Sequence, residues 1–574
     1  MTMISGGDLL ARALANEGVK FVFSLPSPEL DPILAGMERC GIRQIPYHDE
    51  IAGVHMAEGL YRETGQVGVV MGNPGPGAGS LFTGALAALS EGVPVVLISA
   101  QSYPGLSYPS GPEVYQGNDQ GNYFRPFTKY SAPILHWERI PEVTRQAFRE
   151  MWHGRPGPVH LDVPAPVSYY EGQVHDAPAL LPPEQYRAGQ PQPGSAQIDA
   201  AAAMLARARR PIVVSGNGVD RGEANAELLR IVELLNCPVV TSISGRSSVP
   251  ADHPNRFFTY GAGADTARRE SDVLLVAGSR MGLIDVPWDK YWGDPAGQRL
   301  IQIDSDSRNM GLTRPLTLGI VSDVKPALAA LGDALATRHV AARDGGDLAR
   351  YRELDNAYWA TQLVEAAAWN GPGMHPVQVV ATAHAVFGPE AAYFADGGNT
   401  SLWACGTLPT TAPRGFHSIF EFGMLGFGIP AGLGGRVGNP ERESVVLTGD
   451  GAAGYHVMEM QTAAREKIKV TTVVFADGQW SMERINATER WGRTFGTAIG
   501  PIRWDTVAEG LGCRGIYVET VAELAQALTE AKQGDAPTLI HARTNADANT
   551  FSLPPDLKTR FLEVYLGPGN TRFA

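Results

Sequence analysis

The sequence has few cysteines, no excess of positive charge and no long apolar run. Its four cysteines, Cys40, Cys237, Cys405 and Cys513, are isolated and show no metal-ligand spacing. The longest apolar runs, such as residues 93–100, are as long as a strand and too short to cross a bilayer. A formal net charge of -13 argues against nucleic acid or an anionic membrane surface as the main partner. No basic start followed by an apolar stretch signals export, so we expect a cytoplasmic protein.

A chain of 574 residues is too long for one hydrophobic core. Strand-like apolar runs alternate with helix-like segments in three blocks, which predicts α/β domains that are each built on a doubly wound parallel sheet. The predicted boundaries are a first domain at 1–172, a Pro-rich linker at 173–193, a middle domain at 194–340, a linker with a helix at 341–371, a third domain at 372–553 and a tail at 554–574.

The most informative stretch is VVLTGDGAAGYHVMEMQTAAREKIKVTTVVFADGQW, residues 445–480. Two apolar strand-like runs end in acidic residues, the first in Gly449-Asp450-Gly451 and the second in Asp477. Carboxyl ends of parallel strands meet at the edge where α/β sheets bind ligands, so these two carboxylates are expected to lie close together. The following helix offers N–H groups to an anion, but a bare carboxylate would repel phosphate. The pattern therefore indicates a bridging Mg²⁺, although G-D-G alone is also typical of a plain turn.

Two glycine clusters in the second block invite a dinucleotide-binding interpretation. They are SGNGVDRG at 215–222 and YGAGADTA at 260–267. Neither has the full G-x-G-x-x-G spacing after a strand, so we interpret them as turns. A flavin or nicotinamide oxidoreductase is an alternative that this spacing disfavours.

The stretch at 449–477 resembles the thiamin-diphosphate motif, in which G-D-G precedes Asn-Asn at a set interval; here 24 residues, 452–475, intervene. The family is that of acetolactate synthase, pyruvate decarboxylase and benzoylformate decarboxylase, and the likeness covers nearly the whole chain. It implies pyrimidine-binding, middle and diphosphate-binding domains in that order. It also implies Asp450, the side chain of Asp477 and the carbonyl of Gln479 as Mg²⁺ ligands. Because Ala476-Asp477 replaces Asn-Asn, a negative charge is added beside the diphosphate, and metal preference or cofactor affinity is expected to differ.

Further segments resemble the family in the same order. HDEIAGVHMAEGLYR aligns Glu50 with the glutamate that shares a proton with the aminopyrimidine ring and so activates the cofactor. An apolar pocket would raise the pKa of that carboxyl. FEFGMLGFGIPAGLG implies that the Gly423 carbonyl meets the cofactor's amino group and that Leu425 lies between its two rings. The other cofactor-binding residues implied by GNPGPGAGS, FADGGNTSLWA and these segments are Gly75, Gly398, Asn399, Thr400, Met424, Gly449, Gly451, Ala452 and Ala453.

The predicted reaction depends on residues 102–131, which contain no histidine where pyruvate decarboxylases carry His-His. Simple release of an aldehyde is therefore disfavoured. The same segment resembles acetolactate synthase, whose Phe-Gln pair would fall at Tyr115-Gln116, and Gln116 would hydrogen-bond a substrate. Glu483 occupies the place of a catalytic glutamate of pyruvate decarboxylases. We predict a lyase or transferase that decarboxylates a 2-oxo acid such as pyruvate and joins the acyl carbanion to a second carbonyl.

Three alternatives stay open. The first is a simple 2-oxo acid decarboxylase or a diketone C–C hydrolase with the same cofactor, and the second is the oxidoreductase. The third is a non-catalytic protein with a degraded site, suggested by Ala476-Asp477 but opposed by Glu50. The middle block is only loosely compatible with FAD, so thiamin diphosphate and Mg²⁺ are the predicted cofactors and FAD is disfavoured. The family pattern places the site between subunits, which predicts a homodimer or homotetramer acting on small molecules.

Overall fold

The computed structural model describes residues 3–107, 114–187, 189, 191–285, 289–343, 345–550, 563, 564 and 567. The predicted tail at 554–574 therefore lies largely outside the described residues. Three six-stranded sheets with only parallel neighbours form the chain, so the predicted α/β class with three such sheets is confirmed. Of the helices in the described part, none is both long and apolar enough to span a bilayer.

The first unit carries a sheet of order β3-β2-β4-β5-β7-β6, and β1 pairs antiparallel with β8. Its strands are β1 Met3–Ser5, β2 Phe21–Ser24, β3 Arg43–Ile45, β4 Gly68–Gly72, β5 Val95–Gln101, β6 Tyr130–Pro133, β7 Val159–Pro164 and β8 Glu171–Gln173. Its helices are α1 Gly6–Asn16, α2 Asp31–Arg39, α3 Glu50–Thr64, α4 Pro76–Glu91, α5 Pro104–Ser107, α6 Gln120–Phe124, α7 Ile140–Trp152 and α8 Ala165–Tyr169. Val69 and Met71 of β4 pack into one core and Val70 into another, so both faces of the sheet are buried.

The middle unit has a sheet of order β11-β10-β9-β12-β13-β14. Its helices and the one that follows are α9 Ser195–Arg207, α10 Asn217–Arg221, α11 Asn225–Leu235, α12 Ala262–Glu270, α13 Val324–Ala336 and α14 Gly346–Ala368. Its strands are β9 Pro211–Ser215, β10 Val239–Thr241, β11 Arg256–Phe258, β12 Val273–Ala277, β13 Arg299–Asp304 and β14 Leu318–Val321. A Cβ on Gly216 would lie 2.3 Å from the Gly278 carbonyl oxygen, so the first glycine cluster serves a close approach between the loops after β9 and β12.

The third unit has a sheet of order β16-β15-β17-β18-β20-β19. Its strands are β15 Ala392–Asp396, β16 Phe416–Ser418, β17 Ser444–Gly449, β18 Thr471–Ala476, β19 Arg514–Val518 and β20 Thr538–Arg543. Its helices are α15 Pro376–Phe387, α16 Gly398–Thr407, α17 Gly428–Gly438, α18 Asp450–His456, α19 Glu459–Glu466, α20 Ser481–Trp491, α21 Trp504–Gly510, α22 Val521–Gln533 and α23 Ala546–Thr550. The chain leaves β15 toward one edge and β17 toward the other, which opens a crevice between their carboxyl ends.

The first and third units share one hydrophobic core through α3 and α17. A Cβ on Gly59 would lie 2.0 Å from the Ala431 carbonyl oxygen, and one on Gly434 would lie 1.8 Å from that of Met56. The two helices therefore approach backbone to backbone, which only glycine allows at these positions. Since α3 begins at Glu50, this crossing fixes one predicted site residue relative to the third sheet.

Gly434→Ala is expected to lower the thermal unfolding midpoint, because the added methyl group would overlap the Met56 carbonyl at 1.8 Å. Overpacking of this kind costs about 1–3 kcal/mol or more. Gly510→Ala is the matched control, since a Cβ at the end of α21 meets nothing within 4 Å. Differential scanning calorimetry of both variants checks the expectation, and equal midpoints would contradict the proposed steric limit at the α3–α17 crossing.

Candidate cofactor and active site

Glycines line the crevice between β15 and β17 and allow its two walls to approach each other closely. Gly397 has a φ of 91°, in the left-handed region that favours glycine. A Cβ on Gly397 would lie 3.5 Å from the Gly449 nitrogen and 3.6 Å from the Ala452 Cβ, and one on Gly449 would lie 3.1 Å from Thr400 Oγ1. The structure therefore brings together the predicted residues at the start of α16 and at the end of β17.

Helix α16 directs its first turn at this crevice. Its N-cap is Gly397, which has no side chain to offer to the first N–H groups of the helix. Gly398, Asn399 and Thr400 form that first turn, and the latter two are buried. The amino end of a helix attracts anions through these N–H groups and the helix dipole, so a diphosphate fits here.

Asp450 and Asp477 follow the neighbouring strands β17 and β18. Asp450 is buried; Gly451 N–H donates to its Oδ1 at 2.8 Å, and Gly478 N–H donates to its Oδ2 at 2.6 Å. Burial, and next the negative charge of Asp477, raise the pKa of Asp450 to about 7. Two carboxylates held together in this way favour a cation between them.

The Asp477 carboxylate is fixed by the loop that carries it. Gln479 N–H donates to its Oδ1 at 3.0 Å, and the Ser481 hydroxyl donates to Oδ2. Within the described residues no cluster of three or more His, Cys, Asp or Glu could hold a metal. A metal here would take the two carboxylates and other oxygens such as the Gln479 carbonyl, a set of hard ligands that suits Mg²⁺.

The loop between β16 and α17 carries the predicted residues Gly423, Met424 and Leu425. Gly423 has a φ of 71°, and a Cβ there would meet nothing within 4 Å, so this glycine borders open space. Met424 and Leu425 are half-buried. Ala453, also predicted, is buried in α18.

Asp396, at the end of β15, anchors this loop and was missed by the sequence analysis. Its Oδ2 accepts from Gly426 N–H at 3.1 Å and from Gly428 N–H at 2.8 Å, and its Oδ1 accepts from Gly397 N–H at 2.7 Å. One buried carboxylate thus ties the crevice to the loop. The available signal was an acidic residue that ends an apolar strand before two glycines, the same pattern that singled out Asp450.

Glu50 lies at the carboxyl edge of the first sheet, at the start of α3. A Cβ on Gly77 would lie 2.9 Å from Glu50 Oε1, so the carboxyl group contacts the start of α4. Burial raises the pKa of Glu50 above its ordinary value. Gly75 approaches Gln116, whose carbonyl oxygen would lie 3.0 Å from a Cβ on Gly75. The structure thus brings together Glu50, Gly75, Gly77 and Gln116, which we call the Glu50 group.

Gln120 is a second buried residue that sequence reasoning missed. Its Oε1 accepts from Gly75 N–H at 3.1 Å, while its Nε2 donates to the Ala100 carbonyl at 2.9 Å and to Asp162 Oδ1 at 3.1 Å. Gln120 therefore fixes the start of α4 against β5 and β7. Nothing in a single sequence pairs this amide with Gly75, which lies far from it along the chain.

Glu483 is exposed in the first turn of α20. Its neighbour Met482 packs on Gly398, where a Cβ would lie 2.9 Å from the Met482 sulfur. Helix α20 thus borders the Asp450 group, which consists of Gly398, Thr400, Gly449, Asp450, Gly451, Asp477 and Gln479.

Comparisons with known proteins agree with this architecture. Three family models described as thiamine pyrophosphate enzyme domains match the chain: the N-terminal TPP binding domain over 4–116, the central domain over 198–331 and the C-terminal TPP binding domain over 396–542.

Similar proteins carry two kinds of name. A sulfoacetaldehyde acetyltransferase of Castellaniella defragrans is 29% identical over 91% of this chain and 90% of its own length. A sulfoacetaldehyde acetyltransferase of Alcaligenes xylosoxydans xylosoxydans is 30% identical over 86% of this chain and 84% of its own length. A probable acetolactate synthase large subunit of Methanococcus aeolicus is 28% identical over 97% of this chain and 94% of its own length. Similarity over most of the chain thus extends to enzymes that are named for different reactions.

Asp396→Asn is expected to change how stability depends on pH. Burial raises the pKa of Asp396 from 3.8 to about 6, so the folded chain retains this proton more tightly than the unfolded chain. Ionisation therefore costs the wild type roughly 3 kcal/mol as pH rises from about 4 to about 6. Asn loses a hydrogen bond at every pH but avoids this cost.

The melting temperature of the variant minus that of the wild type should therefore increase between about pH 4 and 6 and stay constant above that range. Scanning calorimetry at a series of pH values measures it, with Asp535→Asn at an exposed position as the control. A difference for Asp396→Asn as flat as the control's would contradict the expectation.

Proposed function

The chain belongs to the thiamine pyrophosphate enzyme family, and we propose that it decarboxylates a 2-oxo acid and joins the acyl unit to a second carbonyl. The observation that carries the proposal is the pair of buried Asp450 and half-buried Asp477 beside the first turn of α16. The two carboxylates favour a cation, and the N–H groups of the helix favour an anion. Together they suit a diphosphate that carries a metal ion. A cytoplasmic location stays a prediction.

Each part of the crevice has a role in holding the cofactor. Asp450, Asp477 and the Gln479 carbonyl would hold Mg²⁺, and the first turn of α16 would hold the diphosphate. Gly423 and Leu425 would contact the ring end, and Asp396 keeps their loop in place. Bound thiamin diphosphate supplies a carbon nucleophile that attacks the substrate carbonyl.

Glu50 is proposed to hold a proton at the aminopyrimidine ring. Its half-buried position raises the pKa of the carboxyl, which favours sharing a proton near neutral pH. Gln116 lies beside Gly75 in the Glu50 group and would donate its side-chain N–H to a substrate oxygen. Glu483 is proposed as a further acid or base at the thiazolium side, on the helix that borders Gly398.

A second copy of the chain is proposed to complete the site. Large apolar side chains next to predicted site residues are exposed in the single chain: Tyr115 by 81%, Phe422 by 39% and Tyr455 by 57%. A partner subunit that covers a functional site would bury such exposed apolar side chains. The Glu50 group of one subunit would thus face the Asp450 group of another.

Substrate identity is the finer part of the proposal. Pyruvate or a related 2-oxo acid is proposed as donor on the basis of Gln116 and the resemblance to acetolactate synthase. Simple decarboxylation or diketone hydrolysis is the alternative favoured by Glu483, and the names of two relatives add sulfoacetaldehyde to the substrates worth testing. FAD stays disfavoured; a cavity of about 800 Å³ beside Gly216 and Gly278 is where it would bind, and an absorption spectrum decides.

Glu50→Gln is expected to reduce turnover by about 10²–10⁴-fold while leaving cofactor binding intact, because the amide keeps the shape but holds no exchangeable acid proton. Purified chain, thiamin diphosphate, Mg²⁺ and pyruvate are assayed for products by NMR, and cofactor binding by calorimetry. Exposed Glu38→Gln is the control. Acetolactate or acetoin from wild type supports carboligation, whereas acetaldehyde alone supports the alternative, and an unaffected variant would contradict the role of Glu50.

Sedimentation velocity is expected to show a dimer or tetramer, because Tyr115, Phe422 and Tyr455 need a partner surface. Tyr115→Glu should shift the distribution toward monomer and lower activity in parallel, since a charge at an apolar contact opposes association. A purely monomeric wild type that turns over substrate would contradict the shared site.

A further inference from the structure

We propose that the Asp450–Asp477 pair binds a divalent cation by itself, before the diphosphate and without it, which makes Asp477 a residue that determines metal binding. This inference rests on the proposed function, since the cation is the one that would carry the cofactor. The family motif expects Asn at position 477, so the second carboxylate is a property of this chain.

The pair is arranged as a ligand set and not as a solvated acidic patch. All four carboxylate oxygens accept hydrogen bonds: those of Asp450 from the N–H groups of Gly451 and Gly478, and those of Asp477 from the Gln479 N–H group and the Ser481 hydroxyl. These bonds fix both carboxylate planes before any ligand arrives. A carboxylate oxygen has two lone pairs, so an oxygen that accepts a hydrogen bond can also ligate a cation.

The loop that bears Asp477 is itself held in place. Trp480 N–H donates to the Thr497 carbonyl at 2.7 Å, and Ile499 N–H donates to the Gly478 carbonyl at 2.8 Å. A Cβ on Gly451 would lie 2.5 Å from the Trp480 ring, so the indole packs closely over the start of α18. Preorganised ligands lose little entropy when the cation binds, which favours binding without help from phosphate oxygens.

A separate cavity reaches the pair. It has a volume of about 450 Å³, and its lining includes Asp450, Asp477 and Gln479 together with residues 500–504 and 543–546. In the sheet, β18 and β20 lie on one side of β17, whereas β15 and the helix α16 that follows it lie on the other. A cation can therefore enter from the side away from the diphosphate crevice.

Two arginines on the cavity wall have acidic partners of their own. Arg503 pairs with Asp505 at 2.5 Å, and Arg543 pairs with Glu519 at 2.8 Å. Their charge is therefore largely balanced locally and leaves the Asp450–Asp477 pair attractive to a cation. When both carboxylates are ionised, their formal charge of about −2 matches a divalent ion, whereas Asn at 477 would leave about −1.

The test uses Mn²⁺ as the probe and the full chain, stripped of metal and cofactor by chelation and dialysis. Free Mn²⁺ is followed by electron paramagnetic resonance without thiamin diphosphate. Wild type is expected to bind one Mn²⁺ per chain, and Asp477→Asn to bind it at least about tenfold more weakly, because one charged ligand is lost. Exposed Asp252→Asn is the matched control and should bind like wild type.

A second arm adds thiamin diphosphate to both proteins. The Asn variant should gain more Mn²⁺ affinity from the cofactor than wild type does, since phosphate oxygens then replace the missing charge. Ser481→Ala keeps both carboxylates and should weaken Mn²⁺ binding less than Asp477→Asn.

Wild type that takes up Mn²⁺ only with the cofactor, or an Asn variant that binds Mn²⁺ alone as well as wild type, would overturn the inference and leave the proposed function standing. If Mn²⁺ and thiamin diphosphate fail to bind even together, the proposed function fails as well. Wild-type binding without cofactor is decisive even where a variant does not fold.

Discussion

The close crossing of α3 and α17 is the contact on which the arrangement of the site depends. It joins the helix that begins with Glu50 to the helix that follows the Gly423–Leu425 loop, and it does so through backbone atoms. Side chains at a helix interface can repack, but two backbones held apart only by glycine hydrogens cannot slide without losing the contact. The crossing therefore sets the position of the first sheet relative to the third, and each chain carries both the Glu50 group and the Asp450 group.

The carboxyl edges of the first and third sheets hold carboxyl groups whose ionisation is made unfavourable by burial. Asp396, Asp450 and Glu50 all have a raised pKa, and in each case burial is the largest cause. Asp396 offsets its cost by accepting three backbone N–H groups and so has a structural use in the absence of any ligand. Asp450 lies beside a second acid, which makes its position unfavourable until a cation arrives, and such perturbed groups are characteristic of functional sites. The unfavourable burial of the Asp450 carboxylate thus serves ligand binding, whereas that of the Asp396 carboxylate serves to position the loop.

Much of the fold followed from the sequence because parallel strands buried on both faces give continuous apolar runs. The same logic placed Asp450 and Asp477 at strand ends, and neighbouring strands did bring them together. Glu50 could be assigned only by resemblance, since a Glu at a helix start is common. Gln120 and Asp396 escaped because their roles consist of hydrogen bonds to residues remote in sequence or across a loop. The glycines of the α3–α17 crossing escaped for a similar reason: a glycine in a helix gives no sign of which backbone it faces.

The two acids at positions 450 and 477 also bear on how the site could have diverged from its relatives. An Asn at 477 would supply one charged ligand fewer, so metal binding would depend more on the diphosphate oxygens. A second carboxylate shifts part of that dependence to the protein, but it places a further negative charge next to the diphosphate. Such a change is tolerable only if the cation is already present to screen it. The Ser481 hydroxyl and the Gln479 N–H that orient Asp477 therefore support the role of the acid, because a carboxylate turned away from the cation would repel the cofactor without binding the metal.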